Sequence, residues 1–220
     1  MLIKFSSIVF VFLLSISCSG YKVVKNESNF KKYGIHSISV PMFFNKSTLP
    51  DISSRFTNSF TQELYSIPDL EVKSPNSKTN DAYLVGVVRS APSESGTVIR
   101  GGLAAKIKDL APNRGEGNDN LLPITNIIRL KVDLFLVRRS ADSESLISKL
   151  RSKMHPSLLE SHPSIVLKQT IPISVNVNRE IYDDDFVINS TQNYGILNKV
   201  ISAEAKKAAI TFKQSINYVF

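Results

Sequence analysis

Period-2 alternation marks the first strand of the chain. Ile38, Val40 and Met42 alternate with Ser37, Ser39 and Pro41, the pattern of a strand with one buried face. The polar run Asn45-Lys46-Ser47-Thr48 predicts a turn, and Pro50-Asp51 predicts a helix start at which Asp51 caps free N–H groups. Ile52, Phe56, Phe60, Leu64 and Ile67 then recur every three or four positions until Pro68. One helix face is therefore apolar and needs a partner surface; the strand just before it is the nearest.

Three more strands follow. In 81–89, Ala82, Leu84, Gly86 and Val88 fall on one face and Tyr83, Val85 and Val87 on the other, as in a central strand covered on both sides. A strand, a helix and a parallel strand make a crossover, expected to be right-handed. In 127–137, Ile128, Leu130, Val132, Leu134 and Leu136 share a face, while Arg129, Lys131 and Asp133 alternate with them. From Ile171, the alternation of Ile173, Val175 and Val177 predicts a fourth strand reaching to Ile181, with Pro172 suiting a sheet edge or an irregular pairing.

Two segments between these strands read as insertions, 90–123 and 140–164. The first carries several glycines, little strand signal and a possible short helix over 103–110; the second holds a short amphipathic helix over 142–154, with Leu146, Ile147, Leu150 and Met154 on one side. The C-terminal segment is helical, with Leu197, Ile201, Ala205, Ala208, Phe212, Ile216 and Val219 in one stripe. The predicted fold is α+β, a two-layer sandwich of about four strands in a mixed sheet with two long helices on one face and long loop insertions.

The first residues belong to processing. Lys4 precedes an unbroken apolar run of seven, Ile8 to Leu14, long enough for a signal-peptide core and too short to span a bilayer. Ser15-Ile16-Ser17 then leads to Cys18, the one cysteine of the chain. With no partner for a disulfide, acylation is its simplest use, and several acyl chains (palmitate among them) anchor a protein firmly. The expected organisation is a signal peptide over 1–17, a lipidated N-terminus and tether over 18–33, and a single α/β domain over 34–220.

Charge narrows the partners. Formal net charge is +8 at pH 7, which attracts polyanions in general; an envelope address removes nucleic acid from that set. Arg138-Arg139 at the end of the third strand, followed by Lys149, Arg151 and Lys153 on the short helix, form the most compact basic cluster in the sequence. Guanidinium groups offer paired donors at fixed geometry, which suits phosphate. His36, His155 and His162 are the only histidines, and no nucleophile–base pattern, phosphate-cradling glycine motif or H-E-x-x-H motif is present. Asp183-Asp184-Asp185 lacks the glycine and distal glutamate of a calcium loop. The expectation is a binding and assembly protein, not an enzyme, with no cofactor and no metal.

One stretch carries a family resemblance. Gly20-Tyr21 after the cysteine, the run I-S-V-P-x-F-x-N-K-S over 38–47 and Asp81-Ala82-Tyr83-Leu84-Val85-Gly86 together resemble the LptE family of lipopolysaccharide-assembly lipoproteins, over about residues 18–89 and more loosely in the last fifty. The usual lipobox has Leu where this chain has Ser15. The resemblance implies a lipid-anchored protein on the periplasmic face of the outer membrane. Such a protein binds and plugs an LptD-like β-barrel and contacts lipopolysaccharide. Strand-then-helix patterns of this kind also occur in CsgG-like and LpoB-like lipoproteins, which implies secretion or activation of a wall synthase as the alternative.

Overall fold

The computed structural model describes residues 29–75, 77, 79–90, 98–100, 104–106, 121–123, 125–152, 162–178 and 190–218. Cys18, Lys153, His155, the triple aspartate and Val219 lie outside them, as do residues 1–28 of the expected signal peptide and tether.

A short 3-10 turn, Asn29–Tyr33, leads into β1 (Ser37–Ser39) and β2 (Phe44–Lys46). Helix α1 (Ile52–Tyr65) precedes β3 (Glu71–Lys73) and β4 (Ala82–Ser90). The first insertion contributes β5 (Val98–Arg100), β6 (Ala104–Lys106) and β7 (Leu121–Pro123). Then come β8 (Thr125–Arg138), α2 (Ser143–Arg151), β9 (Ile165–Asn178) and α3 (Ser190–Tyr218).

The α+β class stands, with seven strands in the mixed sheet where four were expected. Two causes account for the difference. Single predicted lanes are built from two strands: β1 pairs parallel with the start of β4 and β2 with its end, while β5 takes over beside β8 where β4 stops. Short β3 also adds an edge, parallel to β1. Across the sheet the lanes run β3, β1 with β2, β4 with β5, β8, and β9, with the β4–β8 and β8–β9 pairings antiparallel. Strands β6 and β7 pair with each other, so the expected helix over 103–110 is replaced at 104–106 by strand. Pairing across sequence, which no local pattern encodes, decides such short apolar pieces.

Pro41 explains the break between β1 and β2, because a proline cannot donate to the ladder. The break shifts parity: Phe43 is buried, and Met42, expected in the core, is 58% exposed. Asn45 and Lys46, read as turn, belong to β2. The turn itself is shaped by the Asn45 side chain, which donates to the Leu49 carbonyl at 2.6 Å and accepts from the Ser47 amide and hydroxyl. Asp51 sits in the left-handed region (φ 55) and makes no side-chain capping bond. Its carboxylate instead accepts from the Tyr194 hydroxyl at 3.3 Å, tying the start of α1 to α3.

Each sheet face carries its own core. Ile52, Phe56, Phe60 and Leu64 of α1 and Ile201, Ala205, Ala208, Phe212 and Ile216 of α3 pack on Ile38, Leu84, Val88 and the even-numbered apolar residues of β8. The stripes of α1 and α3 and the faces of β4 and β8 are those expected from periodicity. Small Ala205, Ala208 and Ala209 allow α3 to lie close to the sheet. The opposite face holds a smaller cluster, Val85, Val87, Phe135 and Val137 beneath Leu146 and Leu150 of α2. The second layer of helix there corrects the two-layer expectation.

Gly86 fits between these cores for a steric reason. A Cβ there would stand 2.2 Å from two atoms of the buried Phe43 ring, which itself packs at 5.1 Å from Phe60. Gly86→Ala should therefore cost about 1–3 kcal/mol of stability through overpacking. A chemical-denaturation midpoint equal to wild type would mean that the Phe43 ring moves aside freely.

Candidate basic face and sheet-end concavity

Of the five basic residues singled out in the sequence, Lys153 lies outside the described residues and the other four do not converge. Arg138 and Arg139 are exposed at the end of β8, beside the start of β4, since Arg138 is in register with Ala82. The Arg138 guanidinium donates to the Tyr33 carbonyl. Helix α2 begins here, with the Ser143 amide donating to the Ser140 carbonyl, and runs away across the smaller core. Its far end lies at β2: the Arg151 guanidinium carbon is 5.8 Å from the centre of the Phe44 ring, and the Lys46 ammonium donates to the Ser152 carbonyl. Ser143 and Arg151 are separated by about 12 Å of helix rise. Lys149 and Arg151 are exposed near one end of the sheet, Arg138 and Arg139 near the other.

At the Arg138 end, Gly34, Asn80, Asp81, Arg138, Arg139, Ser140 and Ala141 line an open concavity of about 550 Å³. Asp81 is its structural knot. Its carboxylate accepts from the His36 and Ser37 amides and the Ser37 hydroxyl at 2.8–2.9 Å. Burial pushes its pKa up, but these hydrogen bonds and the His36 charge outweigh that and hold it below the ordinary carboxylate value. A depressed folded-state pKa adds stability that is present above the unfolded carboxylate pKa and is lost as pH falls through the folded one.

The Arg151 end holds a group that sequence reading passed over. Asp133 is 1% exposed in the middle of β8. It accepts from the Arg89 guanidinium, whose second bond is 3.3 Å, and from the Thr170 hydroxyl at 2.7 Å. Burial pushes the Lys46 amine below its ordinary pKa, and the Asp133 charge partly restores it. Lys46 is in register with Arg89, and Arg89 with Lys131. Three cations thus stand side by side on neighbouring strands, with Arg129 two residues along β8 on the same face. The signal available in the sequence was the charged alternation Arg129-x-Lys131-x-Asp133 within an otherwise apolar strand. Arg89 and Arg138 lie at opposite ends of the antiparallel β4–β8 pair.

Among the described residues, no group of three or more His, Cys, Asp or Glu side chains is arranged to hold a metal, and no helix is long and apolar enough to cross a membrane.

No family model and no curated protein matches the chain. Among solved structures it is similar to a candidate lipoprotein from Caulobacter crescentus, at 8% identity over 80% of this chain and 87% of that one, with a TM-score of 0.39. It is also similar to lipoprotein GNA1162 from Neisseria meningitidis, at 13% identity over 77% and 97% of the two chains, TM-score 0.36. A third neighbour is a PelC dodecamer from Paraburkholderia phytofirmans, at 11% identity over 76% and 86%, TM-score 0.33. At such scores the likeness is one of outline and assigns neither family nor activity.

Proposed function

We propose that this protein is an outer-membrane lipoprotein, anchored through acylated Cys18 on the periplasmic face, that assists lipopolysaccharide transport and assembly. In this reading it binds and plugs an LptD-like β-barrel and contacts lipopolysaccharide without catalysing a reaction. The cation row carries the reading. Like charges directly opposite on neighbouring strands destabilise a sheet, and Lys46, Arg89 and Lys131 stand in that arrangement, with the Asp133 carboxylate bonded to Arg89 among the described residues. A phosphorylated ligand over the row, reached also by Arg151 from α2, offsets the repulsion. The LptE-like residues of 18–89 add the envelope context.

Lys131→Glu with Arg129→Glu is expected to weaken binding to phosphorylated lipid A about tenfold or more, and binding to a dephosphorylated form much less, with the difference shrinking at high salt. Arg138→Glu with Arg139→Glu tests the other end of the sheet in the same assay. Equal binding by both double variants and wild type, with the fold intact, would remove both ends from the mechanism. Co-purification in mild detergent tests the partner: an LptD-like barrel supports the reading. A homo-oligomeric ring or a wall synthase would instead favour a CsgG-like or LpoB-like role.

A further inference from the structure

Strand β9 closes one side of the sheet. It pairs with β8 along its length, and among the described residues no strand pairs with its outer side. Free edges are templates for another strand, and proteins ordinarily blunt them with charges, bulges or short length. This edge is long, 14 residues, and residues 169–177 carry no charged side chain. Its single device in that stretch is Pro172. On an edge strand the proline nitrogen belongs on the outer side. Ser174 and Asn176, at the same parity, then direct their N–H and C=O groups outward, and both are exposed.

We propose that this edge pairs antiparallel with β9 of a second copy of the chain, about a two-fold axis near Ser174 or Asn176. Three observations select a second copy. Two copies of a chain with net charge +8 repel one another, so a shared interface belongs on charge-free surface, and residues 169–177 provide it. Pairing through this edge also keeps the basic faces apart. The Arg129/Lys131 positions of the two β8 strands would be three strand spacings from each other, about 14 Å, which exceeds the Debye length of about 10 Å at 0.1 M salt. Finally, half-buried Leu167 and Val175 of β9, with Ile196 and Val200 of α3, border the main core on the helix side, and a second copy would cover apolar surface there. The two-fold axis stands perpendicular to the sheet, so both basic faces point to one side and both long helices to the other. The pairing is a property of the chain alone and does not depend on the proposed barrel partner.

Cysteine scanning of the full-length protein in detergent tests this. A residue on the axis meets its own copy with Cβ atoms about 4.5–5.5 Å apart. Under mild oxidation, Ser174→Cys or Asn176→Cys should give a covalent dimer, while Ser145→Cys on the exposed side of α2 and the wild type, with Cys18 alone, should not. Light scattering should show a wild-type dimer whose dissociation constant rises at least tenfold in Ser174→Lys, which places two like charges across the axis; circular dichroism checks that this variant is folded. A wild-type monomer, no cross-link at either position, or cross-links only to a different protein would each overturn the proposal.

Discussion

Phe60→Ala is expected to lower the free energy of unfolding by about 3–5 kcal/mol, the range for emptying a buried aromatic site. Phe60 is 1% exposed, on the face of α1 that meets both the sheet and α3. Its ring centre lies 5.1 Å from that of Phe43 and 5.7 Å from that of Phe212. The side chain thus joins three elements that are distant in sequence: the segment between β1 and β2, helix α1 and helix α3. Urea unfolding should show a lower midpoint with little change in slope, because the surface exposed on unfolding stays nearly the same. Phe56→Ala, at a 0% exposed position one turn earlier, should fall in the same range. Unchanged midpoints in both variants would mean that α1 does not bury this stripe.

Asp133→Ala should destabilise by about 2–4 kcal/mol. Removing one partner of a buried ion pair typically costs 3–5 kcal/mol because the other charge is left uncompensated. Here the Arg89 side chain keeps 20% of its exposure, so water takes over part of the lost interaction and the expected loss is smaller. Thr170 also loses its acceptor. A double-mutant cycle separates the pair from its surroundings: Arg89→Met with Asp133→Leu should recover most of the stability, since an apolar pair carries no desolvation penalty. If Asp133→Ala alone loses less than about 1 kcal/mol, water replaces the carboxylate and the row of cations needs no internal counter-charge. The same variant tests whether Asp133 tempers the basic face, because its removal should strengthen binding of phosphorylated lipid wherever the fold survives.

Both experiments address positions whose legibility differed. Phe60 was readable because a helix buries every third or fourth residue, and that period is written in the chain itself. Asp133 was not, because a charged residue in a strand reads the same whether it faces water or a guanidinium from another strand. Arg138 and Arg139 were visible as a basic pair, yet their grouping with Lys149 and Arg151 rested on nearness in sequence. Helix α2 starts beside the first pair and carries the second away along its axis.

Periodicity by itself determined the α+β class, the buried stripes of α1 and α3, both faces of β4 and the inward residues of β8. These are properties of one element at a time, set by the repeat of helix or strand. Only the tertiary structure decided that Pro41 splits the first lane and turns Phe43 inward over Gly86, and that β5 extends the lane of β4. It alone placed α2 over the second face of the sheet. It alone also set Lys46, Arg89 and Lys131 abreast around Asp133. Register between strands depends on contacts separated by tens of residues, and the free energy that selects it is a sum over packing and charge pairs that no local window of sequence contains.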